Sequence, residues 1–253
     1  MKSRPGVELA SLTDVGCQRE NNEDSYGYWE PANDADFATL GRLAIVADGM
    51  GGHEGGQIAS RLAVETFIKV YAAANDPDPQ KRLLTALDQA HLSIQQRAKQ
   101  NPRLNSMGTT CTACALVDGR LYFVHVGDSR LYLLREGKLR ILSRDHTLIA
   151  RLLEKGLIRR DQAHDHPQKH VLTSALGVPD EEMEIDAPPE PLPLHQGDVL
   201  MICTDGLWGQ MEADEIEQAL ASQSPSAACR SLVQLAKNHG GPDNITLQVL
   251  RID

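Results

Sequence analysis

Thr109-Thr110-Cys111-Thr112-Ala113-Cys114-Ala115-Leu116-Val117-Asp118-Gly119-Arg120-Leu121-Tyr122-Phe123-Val124-His125-Val126-Gly127-Asp128 holds two apolar, strand-like runs joined by Asp118-Gly119. An Asp-Gly pair between such runs is a strong hairpin signal, because both turn positions favour positive φ. Glu136-Gly137, after the run Leu131–Arg135, repeats the signal. Paired hairpins argue for antiparallel meanders rather than parallel crossovers. Working outward, further strand-like runs lie at Val7–Val15, Ser25–Trp29, Leu43–Ala47, Val199–Thr204 and Ile245–Ile252.

Helical spacing of apolar residues predicts helices over 57–74 and 79–100, then over 214–221 and 225–238, the last stopped by Gly240-Gly241. Helix pairs between batches of antiparallel strands imply an α+β fold of sheets packed together with helices outside. The stretch from Ser143 to Gly177 breaks the rhythm: one short helix over 148–155 is followed by a polar stretch rich in His and Asp. It reads as an insertion lying over the surface. Ala187–Pro193, with three of its prolines at 188, 189 and 191, reads as an extended connector. There are no repeats and no low-complexity linker, so residues 1–253 are expected to form a single domain.

Composition narrows the function classes. Apolar residues make up 41% and aromatics only 4%, so Leu, Val, Ile and Ala must fill the core. The formal charge of −10 disfavours binding to nucleic acid or to an anionic membrane, since both need a basic surface. No apolar run reaches the roughly 18 residues of a membrane span, and the start lacks the apolar stretch of a secretory signal. A cytoplasmic protein is expected. Cys111 and Cys114 have the spacing of a redox or zinc pair, but within a strand an offset of three places side chains on opposite faces. They are expected to be core thiols in a reducing compartment.

The chemistry lies in a recurring pattern. Leu43–Ala47 runs into Asp48-Gly49, Phe123–Val126 into Gly127-Asp128-Ser129, and Val199–Thr204 into Asp205-Gly206; Asp243-Asn244 precedes the last strand, and Glu23-Asp24 opens Ser25–Trp29. A single Asp-Gly marks a turn, but a turn needs no apolar strand leading into it each time. Strand ends that meet would crowd these carboxylates, and close like charges call for a counter-ion. The donor set is all oxygen, which suits magnesium or manganese rather than structural zinc. Two such ions roughly 3.5–4 Å apart can activate a hydroxide for in-line attack on phosphorus.

With these motifs, the sequence resembles the metal-dependent serine/threonine protein phosphatases of the type 2C (PPM) family, bacterial members in particular. The resemblance spans almost the whole chain and is carried by Arg19-Glu20-Asn21-Asn22-Glu23-Asp24, Val46–Gly52, Gly108-Thr109-Thr110, Val126–Arg130, Leu172–Gly177, Thr204–Trp208 and Asp243-Asn244 in the family's order. It implies a four-layer αββα sandwich of two antiparallel β-sheets flanked by helices, with the Ser143–Gly177 insertion as a flap beside the active site. It implies hydrolysis of phosphoserine and phosphothreonine on proteins by a hydroxide shared between two Mn2+ or Mg2+ ions, without a phosphoenzyme.

By resemblance, Asp48 bridges the two metals and the Gly49 carbonyl is a further ligand. Asp205 and Asp243 hold the first metal; Glu23 and Asp24 match positions at the second. Asp128, with Asp205, matches a weaker third site, and Arg19 matches the phosphate-binding arginine. One departure stands out: the position of a proton-donating histidine in eukaryotic relatives is Met50 here, which leaves His53 or metal-bound water as the proton donor. Phosphorylated proteins are the expected substrates, opposite a serine/threonine kinase, for a monomeric enzyme without nucleic-acid or membrane partners. Two other readings remain open: a catalytically silent phosphoprotein-binding module of the same fold, and a two-metal phosphodiesterase or nuclease.

Several features carry no site. The glycines of Gly49–Gly56 lack the Gly-Lys-Ser/Thr ending of a nucleotide loop. Ser129 brings no base and no nucleophile elbow. His164, His166 and His170, without ligand spacing, read as solvated histidines.

Overall fold

A computed structural model describes residue 4 and residues 6–51, 55–163, 166–178 and 183–253. In chain order the elements are β1 (Val7–Asp14), β2 (Asp24–Trp29), α1 (Asp34–Leu40), β3 (Arg42–Met50), α2 (Gly55–Ala72) and α3 (Pro79–Gln100). Then come β4 (Gly108–Thr109), β5 (Cys111–Val117), β6 (Arg120–Val126), β7 (Arg130–Arg135), β8 (Lys138–Ile141), α4 (Leu148–Glu154) and α5 (Arg160–Ala163). The last are β9 (Leu192–Pro193), β10 (Val199–Cys203), α6 (Asp205–Trp208), α7 (Ala213–Ser222), α8 (Pro225–Asn238) and β11 (Ile245–Ile252).

The strands form two antiparallel sheets, one ordered β1-β11-β10-β7-β8 and the other β2-β3-β5-β6-β9, with β4 paired to β3. Both expected hairpins are present. Asp118 and Gly119 take φ of 49° and 67°, and Glu136 and Gly137 take 52° and 73°, the primed-turn geometry that matches strand twist.

Alternation along the strands builds the layers. In β3, Leu43, Ile45 and Ala47 face a core shared with α2 and α3, while Ala44 and Val46 face the other sheet. In β10, Val199, Met201 and Cys203 face α7 and α8, while Leu200 and Ile202 meet the opposing sheet. Period-two side chains thus give each sheet one helix-covered and one sheet-covered face, the expected αββα sandwich. Each Leu or Ile removed from water there contributes roughly 1.5–3 kcal/mol, so a one-residue slip that exchanged faces would be costly. Cys111 lies in the helix-side core and Cys114 between the sheets, as the offset of three requires. All five cysteines are free, and of these only Cys17 is exposed.

One helix was not foreseen and one expectation shifts. Helix α1 carries no long apolar period, and its start is fixed instead by the Asn33 side chain capping the Asp36 N–H. The 143–177 stretch is not merely laid on the surface, because His146, Thr147, Ile149 and Ser174 are buried and Leu176 belongs to the helix-side core. Its two limbs meet at a Thr147–Leu172 bridge, while the segment around Leu157 is exposed. Among the described residues no helix is long and apolar enough to cross a membrane.

Candidate metal centre

Five strand ends deliver carboxylates to one end of the sandwich. Asp24 opens β2 and is paired directly with Asp48 near the end of β3. Asp128 follows β6, Asp205 follows β10, and Asp243 stands two residues before β11. The first, second and third belong to one sheet, the others to its partner sheet, so the site straddles the sandwich. A hydrogen bond from Thr204 Oγ1 to Asp24 Oδ2, at 2.9 Å, joins the two halves.

Electrostatics report the convergence. Burial pushes the Asp48 carboxyl well above its usual range, and Asp24, Asp205, Asp128 and Asp243 add to the rise in that order. Asp24 is pushed up to about 7, chiefly by burial and further by Asp205 and Asp243, while the Thr246 and Thr204 hydroxyls restrain it. Asp128 is also held well above its usual range, by burial and then by Asp205 and Asp145 against the opposing charge of Arg130. Desolvated carboxylates that raise one another's pKa favour a further cation among them. Asp24 Oδ1 is buried with no hydrogen-bond partner, although buried oxygens are normally satisfied.

Close backbone packing surrounds these groups. A Cβ on Gly49 would lie 2.2 Å from the Gly56 carbonyl oxygen and 2.6 Å from that of Glu23. On Gly206 it would lie 1.9 Å from the Asn244 carbonyl oxygen. Asn244 ties the loops together: its Oδ1 accepts from the Glu23 N–H, and its Nδ2 donates to the carbonyls of Val15 and Asn21. The Glu23 carboxylate packs against Gly56 in the first turn of α2.

One carboxylate already faces a cation and another a histidine. Arg19 Nη2 is 2.8 Å from Asp243 Oδ2, and its side chain is half exposed. Partial burial works against the Arg19 charge, but Asp243, then Glu23 and Asp48, overcome it and hold its pKa above the ordinary value. His170 Nδ1 lies 3.6 Å from Asp205 Oδ2, and that contact raises the histidine pKa. No three His, Cys, Asp or Glu among the described residues are gathered closely enough to hold a metal ion as they stand. The donor chemistry nevertheless fits hard divalent cations: oxygen only, desolvated, repelling one another and with one oxygen unpartnered.

A family model described as Protein phosphatase 2C matches residues 18–239. The chain belongs to the protein phosphatase 2C family. It is 35% identical over 96% of its length to the serine/threonine protein phosphatase PstP of Mycobacterium tuberculosis, and spans 44% of that relative. It is 34% identical to the protein phosphatase PhpP of Streptococcus pneumoniae, covering 98% of both chains. The solved catalytic domain of PstP in complex with two manganese ions superposes with a TM-score of 0.83, at 32% identity, over 98% of this chain and 99% of that one.

Within the phosphatase 2C frame, the structure brings together Arg19, Asp24, Asp48, Asp128, Asp205 and Asp243, with Gly49 and Glu23 beside them. His53 lies outside the described residues, as does His164. His170, expected as a solvated histidine, is exposed but stands against Asp205. Its place just before Leu172–Gly177, one of the family's motifs, was the available signal. Ser129 is fully buried, with its hydroxyl 2.8 Å from that of Thr110, which rules it out as an exposed nucleophile.

Proposed function

We propose that this chain is a manganese- or magnesium-dependent phosphoserine/phosphothreonine protein phosphatase. The observation that carries the reading is the meeting of five carboxylates at one end of the sandwich with an arginine at its rim. Asp48, whose carboxyl feels Asp24 and Asp205 most strongly among its neighbours, would be the carboxylate shared by two cations. Asp205 and Asp243 would hold the first cation and Asp24 and Glu23 the second, with the Gly49 carbonyl a further ligand, and Asp128 with Asp205 would form a weaker third site. When bound, such ions supply Lewis acidity and an activated water nucleophile.

The residues of the chain do the rest. Arg19 has donors that can leave Asp243 and take a phosphate oxygen pair, the geometry a guanidinium suits. Buried walls of the two sheets exclude water behind Asp24 and Asp48, which strengthens every charge interaction in front of them. His170, on the flap, faces the same opening.

Residues 1–253 read as one catalytic domain, which the pairing of β1 with β11 supports. A monomer opposing a serine/threonine kinase is our reading of its setting, and the five unpaired thiols accord with a reducing, cytoplasmic compartment. The test is hydrolysis of an aryl phosphate and of phosphothreonine peptides against added manganese. Activity is expected to require the ion and to vanish with chelator. Peptide binding without turnover at saturating manganese would instead identify a silent phosphoprotein-binding module, and nicking of plasmid DNA a phosphodiesterase.

A further inference from the structure

Strand β8 ends the sheet β1-β11-β10-β7-β8, and no strand among the described residues pairs with its outer edge. Such an edge offers main-chain groups to another chain unless something blunts them. Which groups point outward follows from the ladder. The Leu142 N–H donates to the Leu131 carbonyl at 2.8 Å, so alternation turns the main chain of Leu139 and Ile141 away from β7. At Leu139 the N–H is already answered, by Glu217 Oε2 of α7 at 2.9 Å. Ile141 lies open, its side chain 49% exposed.

The charges on this strand run against those of the molecule. The chain carries −10 overall, yet residues 138–144 hold Lys138, Arg140 and Arg144 and no acidic residue. Arg144 is taken up by Glu154 and Glu184. Lys138 and Arg140 are exposed, and neither forms an ion pair among the described residues. Lysine on an edge often serves only to repel other strands. These two cations repel basic strands but attract one that carries carboxylates.

Strand β8 also points toward the carboxylate end of the sandwich. Its register places Arg140 opposite Leu133 and Lys138 opposite Arg135, five and seven residues beyond Asp128. At about 3.3 Å per residue these cations lie roughly 17 and 23 Å along the sheet from that carboxylate. An extended segment paired antiparallel to β8, the stabler arrangement, has its N-terminal end at the site and its C-terminal end beside Lys138.

We propose that the outer edge of β8 docks the phosphoprotein substrate, taking an extended segment with carboxylates about five to seven residues C-terminal to the phosphoresidue. Ile141 offers its N–H and carbonyl to that segment, and Lys138 and Arg140 meet its acidic side chains. The inference deepens the phosphatase reading given above and rests on it.

The test compares two phosphothreonine peptides of equal length on the whole chain at saturating manganese. One carries glutamate at the fifth and seventh positions after the phosphothreonine, the other glutamine. The glutamate peptide should show a KM lower by about three- to tenfold at equal kcat, the range of two exposed ion pairs. High salt should narrow that gap. Lys138→Glu combined with Arg140→Glu should erase the preference and leave aryl phosphate hydrolysis unchanged. Should that variant fail to fold, Lys138→Gln with Arg140→Gln takes its place. Ile141→Pro should raise KM for both peptides, since proline is tolerated on an edge strand but removes the outward donor. Equal KM values for the two peptides in the unmodified protein overturn the proposal, while turnover of aryl phosphate keeps the phosphatase reading standing. A preference that survives in the double variant overturns it as well. Absence of manganese-dependent hydrolysis of every phosphate ester removes the phosphatase reading and the proposal together.

Discussion

Asp24 and Asp48 are direct cross-strand partners on adjacent strands, both desolvated, and Asp24 helps to raise the pKa of Asp48. Like charges placed opposite each other destabilise a sheet. Asp48→Asn should therefore cut manganese-dependent hydrolysis by at least about a hundredfold, in line with loss of a charge at the reacting centre. In chelator the same variant should be more stable by on the order of 1 kcal/mol, seen as a rise in Tm of roughly 2–4 °C. Scanning calorimetry with and without chelator checks both signs, and an Asp48→Asn enzyme of normal activity would sink the assignment.

Manganese affinity should depend on pH through Asp24. Its carboxyl, pushed up to about 7 by burial, binds a proton in the ion-free protein at slightly acid pH. The ion needs the ionised form, so protons must leave on binding below about pH 7 and affinity must fall as pH falls. Calorimetry at pH 6 in buffers of different ionisation enthalpy should report proton release, and at pH 8.5 much less. Equal release at both pH values contradicts the expectation.

Arg19→Ala should lower kcat/KM on a phosphopeptide by roughly tenfold to a hundredfold, the range of one or two hydrogen bonds to a charged group. Arg19→Lys should recover little, because a point charge does not reproduce the guanidinium fork. Manganese binding should survive both substitutions, since Arg19 donates to Asp243 rather than serving as a ligand. Lost manganese binding in either variant would point to a structural role.

His125 sets an acid limit on stability. Burial, and then the neighbouring His146, lower its pKa to about 3, while the Gly127 carbonyl accepts its Nε2–H. A histidine depressed in the folded state leaves the fold intact above its unfolded pKa near 6.5 and costs stability as pH falls from there toward 3. His125→Gln cannot gain that proton. Its stability deficit relative to the unmodified protein should be largest at pH 8 and shrink toward pH 4.5, as read from urea midpoints; a constant deficit would mean that His125 does not titrate in this window.

Backbone contact at Gly206 offers a fourth handle on the site. An added methyl would meet the Asn244 carbonyl, so Gly206→Ala should cost about 1–3 kcal/mol by overpacking and displace Asp205 from its neighbours. Both a lowered Tm and weakened manganese binding are expected. Unchanged values would show that the loop has room to move.

Much of this was legible in the chain because it depends on local order. Leu43–Ala47 and Val199–Thr204 alternate or run apolar, and the aspartate after each announces its own strand end. Asp118-Gly119 fixed a hairpin by turn chemistry alone. What stayed hidden depends on distant segments meeting. His170 reaches Asp205 only because the Thr147–Leu172 bridge folds the flap back. The stack of Arg130 on Trp208 joins residues on two elements that share no local pattern. Helix α1 is too short for its periodicity to show.

Strand β11 is wedged between β1 and β10, and Asp243 sits at its entrance. A chain still emerging from the ribosome therefore holds Asp24, Asp48 and Asp128 without the element that closes one sheet and brings Asp243. On the proposed reading, such an unfinished polypeptide should be inert toward phosphoproteins around it until this last segment arrives.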